Sequence, residues 1–114
     1  MSMEEDIKSG VITDSMTFQQ RVWAMTARIP HGKVSTYAKL ADMLGTRAYR
    51  AVGSALGKNP YAPQVPCHRV VGSDGKLTGF FHGLDAKESL LKAEGIAVVD
   101  GRVDLQVFGM KPEV

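Results

Sequence analysis

The chain has 114 residues, of which 44% are apolar and 23% charged, with a formal net charge of +2. That length predicts one compact domain burying about two thirds of its unfolded surface, and so mild a positive charge permits an anionic partner without requiring one. One cysteine, Cys67, excludes an internal disulfide and points to a reducing, cytoplasmic setting; no apolar run nears the roughly 20 residues that span a bilayer, and the acidic start MSMEEDIKSG is unlike a secretory signal.

Residues 1–16 read as a flexible N-terminal arm, 17–109 as the working domain and 110–114 as a tail. Thr17 and Gln20 make a capping-box pair ahead of an apolar stripe at Phe18, Val22, Met25 and Ile29. Pro30 ends that helix. VSTYAKLADMLG (34–45) predicts a second helix, capped by Ser35 or Thr36, with Tyr37, Leu40, Ala41 and Leu44 on one face and Gly45 as its stop. Thr46 is the expected cap of a third helix, with Tyr49, Val52, Gly53 and Leu56 on its apolar face. The pair reads as a helix-turn-helix, and RAYRAVGSALGK carries Arg47, Arg50 and Lys58 with no acid. A plain helical hairpin with a solvated basic edge fits those residues equally well.

KNPYAPQVP (58–66), with three prolines, is a stiff loop leading into the cysteine. Ser73-Asp74-Gly75 marks a turn between short apolar runs and predicts a small hairpin. GFFHG (79–83) reads as an aromatic loop. Asp85 and Glu88 are the expected caps of a fourth helix ended by Gly95, and Asp100-Gly101 predicts a type I′ hairpin in the last stretch. The fold class is therefore mostly α with small β hairpins.

VPCHRVVG (65–72) holds the lone thiol between a rigid residue and two basic ones. A thiolate is the reactive form of cysteine, and neighbouring positive charge favours it. On its own, however, a single cysteine is better read as a small buried hydrophobe. The histidines at 31, 68 and 82 and the one cysteine lack zinc-like spacing, so no metal or other cofactor is expected.

VPCHRVV resembles the active-site signature of the O6-alkylguanine-DNA alkyltransferases. RAVGSALGKNP is similar to their recognition helix and the asparagine hinge behind it, KVSTYAKLA to their tyrosine-bearing helix, and GLDAKESLLKAEG to the helix that supplies their glutamate. The likeness runs in order from Phe18 to Gly95, and the four segments together are far more specific than PCHRV alone. It implies a winged helix-turn-helix-like DNA-binding domain.

The resemblance also implies roles. Cys67 corresponds to the acceptor thiolate, His68 to the base that deprotonates it through a water, and Glu94 to the acid that orients the histidine. Tyr37 corresponds to the hydroxyl that meets the flipped guanine, Arg50 to the finger that fills its place, and Asn59 to the hinge that braces the active-site loop. Thr36, Tyr37, Ala51, Gly53, Ser54 and Ser73 join Arg50 as DNA-facing residues, and Pro66, Val70, Phe80 and Phe81 line the lesion pocket. The target atom is inaccessible inside a duplex, so extrusion of the base is part of the expected chemistry.

Two positions depart from the family pattern: Phe80 stands where a tyrosine is frequent and His82 where a glycine is. The short stretch before Phe18 leads us to expect no separate N-terminal domain. GRVDLQVFG (101–109) is closer to the alkyltransferase-like proteins, short relatives that bind alkylated guanine and flag it for nucleotide excision repair, most of which lack the cysteine. The sequence thus implies a monomeric protein, outside the membrane, that acts on double-stranded DNA containing O6-alkylguanine. It either takes the alkyl group irreversibly onto Cys67 or binds the lesion and recruits excision-repair proteins. A helix-turn-helix regulator, the remaining reading, would want two-fold symmetry and sequence preference, and nothing in the residues suggests either.

Overall fold

The computed structural model describes residues 2–79 and 83–111. Helix α1 (Met3–Lys8) starts at Ser2, whose hydroxyl accepts from the Glu5 amide. Its Ile7 is fully buried in a cluster with Met16, Trp23, Ala24 and Val65. The N-terminal segment is therefore not a loose arm. Ile7 and Met16 give it an apolar face, and α1 docks on the next helix.

Helix α2 (Phe18–Ala27) opens with the expected capping box: the Thr17 hydroxyl accepts from the Gln20 amide and the Gln20 side chain from the Thr17 amide. Val22, Met25 and Ile29 of the stripe are buried, while Phe18 is 38% exposed at the helix start. Helix α3 (Tyr37–Met43) is capped by Thr36, and α4 (Tyr49–Gly57) follows after a short turn. Ala48, not Thr46, occupies the N-cap position of α4; the Thr46 hydroxyl accepts from the Ala48 amide outside the helix. α2, α3 and α4 enclose the main core, with Val52, Ala55 and Leu56 as α4's buried stripe. Tyr49, expected in that stripe, points outward.

The sheet consists of two short parallel strands, β1 (Ser35–Thr36) and β2 (Val70–Val71), in register Ser35↔Val70 and Thr36↔Val71. This differs from the hairpin expected around residues 73–75. The turn itself is present, with Gly75 at φ +85° and Asp74 accepting from the Lys76 amide. The strands beside it pair elsewhere: β2 with β1, and Lys76 with Arg102. At Asp100-Gly101 both residues take positive φ, as a type I′ turn needs, and Val99 and Arg102 exchange both backbone hydrogen bonds. Helix α5 (Leu84–Ala93) begins at Gly83 without a side-chain cap, so neither Asp85 nor Glu88 has that role. A short α6 (Leu105–Phe108), capped by Asp104, replaces strand in the tail and packs under Val34 and Leu91.

Candidate active site

Residues 67–69 form one 3₁₀ turn between the proline loop and β2. Three residues complete such a turn, so Cys67, His68 and Arg69 point in three directions about 120° apart. Cys67 is half-buried at the edge of the main core. His68 is buried, and its Nε2 lies 2.6 Å from Glu94 Oε2. Arg69, adjacent to the thiol in sequence, turns away from it. Its Nε and Nη2 donate to the Glu94 carboxylate at 2.8 and 2.9 Å, and its Nη1 donates to the Ile29 carbonyl at 2.7 Å. The Gly32 amide adds a further bond to Glu94 Oε1 at 3.1 Å.

Glu94 is the C-cap of α5, so the helix end delivers it to a point where three separated chain segments converge. Burial alone would raise its pKa. The hydrogen bonds from Arg69, His68 and Gly32 outweigh that and hold it at about 2. The carboxylate is thus ionised at neutral pH and accepts the Nε2 proton of His68. Burial, aided by the charges of Arg69 and Lys87, keeps His68 below its usual value against the pull of Glu94. A neutral imidazole with its proton fixed on Nε2 has its lone pair on Nδ1, so Nδ1 is the nitrogen able to act as a base. The His68–Glu94 pair thus has the geometry of a base held by an orienting carboxylate, and Cys67 precedes His68 in the same turn.

Tyr37, the first residue of α3, directs its hydroxyl to the Thr78 carbonyl at 3.2 Å. Its ring lies against α4 at Gly53, where a Cβ would sit 4.0 Å from Tyr37 Cε1. Asn59 ties both ends of the proline loop: its Nδ2 donates to the Val65 carbonyl at 2.8 Å and its Oδ1 accepts from the Tyr61 amide. Tyr61 packs edge-on against Trp23, with the rings at 88° and 5.9 Å apart, and Lys8 of α1 lies over its face. The loop that carries Cys67 is therefore braced from within by Asn59 and from outside by α1 and α2.

The structure adds one residue that the sequence reading passes over. Lys87 on α5 is fully buried, and its ammonium donates to the Val70 carbonyl at 2.6 Å and the Thr78 carbonyl at 2.8 Å. Burial lowers its pKa to about 8, with the Cys67 charge acting in the opposite direction. At neutral pH it remains mostly protonated, a positive charge near Cys67 that also pins β2 to the Thr78 segment. The signal was available: Lys87 stands four residues before Leu91, on the buried face of an amphipathic helix where a lysine breaks the pattern.

Other candidate residues divide. Arg50, Ala51 and Ser54 lie on the exposed face of α4, and Ser73 is exposed in its turn. Thr36, expected to face DNA, is 4% exposed and spends its hydroxyl on the Lys39 amide as a helix cap. Gly53 faces Tyr37 rather than outward. Val70, expected as pocket lining, has its side chain in the main core and contributes its carbonyl to Lys87. Pro66 is buried beside the turn. Phe80 and Phe81, expected in the pocket, and His82 lie outside the described residues.

Residues 17–96 match the family model described as 6-O-methylguanine DNA methyltransferase, DNA binding domain. The chain belongs to this family. A methylated-DNA–protein-cysteine methyltransferase from Methanosarcina barkeri is 56% identical over 78 residues, covering 68% of this chain and 49% of that protein. One of the same name from Candida albicans is 44% identical over 97 residues, covering 85% and 54%. The chain thus spans about half the length of these curated methyltransferases. Among solved structures, S. pombe Atl1 in complex with damaged DNA containing O6-carboxymethylguanine aligns with a TM-score of 0.75 at 29% identity, over 83% of this chain and 95% of that one. The Mycobacterium tuberculosis protein OGT, solved in complex with DNA, aligns with a TM-score of 0.67 at 42% identity, over 81% and 63%. These neighbours share the mostly helical, helix-turn-helix-like fold of the methyltransferase DNA-binding domain.

Proposed function

We propose that this protein repairs O6-alkylguanine in double-stranded DNA by drawing the damaged nucleotide out of the duplex and transferring its alkyl group to Cys67. The observation that carries this reading is the buried His68–Glu94 bond of 2.6 Å beside the turn that carries Cys67. His68 Nδ1 takes the thiol proton through a water, and the Cys67 thiolate attacks the alkyl carbon. The sulfur–carbon bond forms as the carbon–O6 bond breaks, and the guanine leaves with the electron pair. Tyr37 is positioned to give a hydrogen bond to the departing base, provided its hydroxyl exchanges the Thr78 carbonyl for the guanine. Lys87 supplies positive charge near the sulfur throughout. A thioether does not revert, so each molecule reacts once.

Contact with DNA is assigned to the exposed face of α4. Arg50 fills the gap left by the extruded base, Ala51 and Ser54 allow the helix close to the backbone, and Ser73 and the flanking cations meet phosphates. Asn59 keeps the cysteine loop in shape during extrusion. The protein works as a monomer and needs no metal or other cofactor.

A second reading is favoured by one observation, the coverage of nearly the whole Atl1 chain by this one. In it the protein binds the alkylated base without transfer and hands the lesion to excision-repair proteins. Intact-mass measurement after incubation with an O6-methylguanine duplex separates the two. Transfer predicts one added methyl per molecule, none on Cys67→Ser, and a much slower gain on His68→Ala. Tight lesion binding with no mass change over hours would reject transfer and leave the second reading.

A further inference from the structure

Tyr49 is 46% exposed, although its sequence position puts it on the same helical stripe as Val52 and Leu56, which are 0% and 7% exposed. It is the first residue of α4 and joins none of the apolar clusters among the described residues. Single exposed aromatics are ordinary, so exposure alone decides nothing. Position decides. The Cα of Gly53 looks onto the Tyr37 ring, with 4.0 Å from its would-be Cβ to Cε1. Residues three and four apart share a helix face, so Arg50 and Tyr49 are the two side chains one turn before that contact. Both therefore sit at the exposed start of α4, one turn ahead of the point where the helix meets the Tyr37 ring. Chemistry agrees with position: Arg47, Arg50 and Lys58 surround it in sequence and α4 carries no acid. A ring with a polar tip among cations suits a surface that offers sugar and base faces edged with phosphate.

We infer that Tyr49 is a second wedge beside Arg50, its ring resting on the nucleotide that flanks the extruded one and helping to hold the duplex open. This rests on the function proposed above and adds a residue to its DNA-contacting face. The test is equilibrium binding of the full chain, at fixed salt, to a duplex carrying one O6-methylguanine and to the same duplex with guanine. Tyr49→Ala weakens lesion-duplex binding about tenfold, toward the lower end of what a base–aromatic contact contributes. Its binding to undamaged duplex changes by less than about twofold, because that mode opens no base pair. Tyr49→Phe binds both like wild type, since the ring and not the hydroxyl makes the contact, and the melting temperatures of both variants stay at the wild-type value. Unchanged lesion binding in Tyr49→Ala, equal loss on both duplexes, or a loss in Tyr49→Phe as large as in Tyr49→Ala would each overturn the wedge. Wild-type binding with no lesion preference would instead overturn the proposed function, and this inference with it.

Discussion

Replacing Glu94 by glutamine removes a charge and turns one acceptor oxygen into a donor, at a carboxylate that receives N–H groups from Arg69, His68 and Gly32. Whichever way the amide is turned, its NH₂ meets at least one Arg69 N–H, so a bond becomes a repulsion. Each charge-assisted hydrogen bond lost costs about 1.5–3 kcal/mol, and a half-buried Arg69 is left without its counter-ion. We expect a destabilisation of about 3–4 kcal/mol, a large fraction of the roughly 5–15 kcal/mol that holds a domain folded. For a chain of this size that lowers the melting temperature by roughly 10–20 °C.

The wild-type margin depends on pH with a definite sign. The folded pKa of Glu94, about 2, lies below its ordinary value of 4.5. Its contribution is therefore fully present above 4.5 and is lost as pH falls toward 2. Full linkage over that interval amounts to about 3 kcal/mol, reduced to about 1–2 kcal/mol by solvent screening at a partly open site. The gap between wild type and Glu94→Gln should accordingly narrow as pH is lowered through this window in calorimetric or circular-dichroism melts. The same substitution lets the His68 proton move to Nδ1, which removes the base. In the Ser-His-Asp proteases the equivalent amide change costs about 10⁴ in rate, and here alkyl transfer should slow by at least about a hundredfold. A variant that melts within a few degrees of wild type and transfers at the wild-type rate would refute this account of Glu94.

Two further outcomes follow from the packing and the charges. Ile7→Ala, which empties a fully buried site between α1 and Trp23, should cost about 2–4 kcal/mol in denaturant unfolding; a loss below about 0.5 kcal/mol, the scale of a surface substitution, would return residues 1–16 to a loose arm. Cys67→Ser removes the group whose ionised form raises the Lys87 pKa, so that pKa should fall below its value of about 8 in a lysine-detected NMR titration; no movement, or a rise, would show that the two groups are not coupled.

Local chemistry made much of this molecule legible in its sequence. The Thr17–Gln20 capping box, the Thr36 cap, Gly45 and Gly95 after their helices and the Asp100-Gly101 turn each depend on residues within a few positions of one another, and each is observed. The cysteine signature and its three companion segments likewise carry the likeness to the family to which the chain belongs. Tertiary structure decided whatever depends on partners far along the chain. Arg69 stands next to the thiol in sequence, but its planar five-donor fork goes to Glu94, 25 residues away, and to Ile29. β2 pairs in parallel with a strand from residue 35 because a two-residue strand takes the edge that packing presents, not the nearest one. Tyr49 leaves its stripe because α4 begins there, before the core does, and Lys87 enters its own because the Val70 and Thr78 carbonyls meet its ammonium inside. Periodicity fixes which way a side chain points on its own helix; only the assembled fold determines what is waiting there.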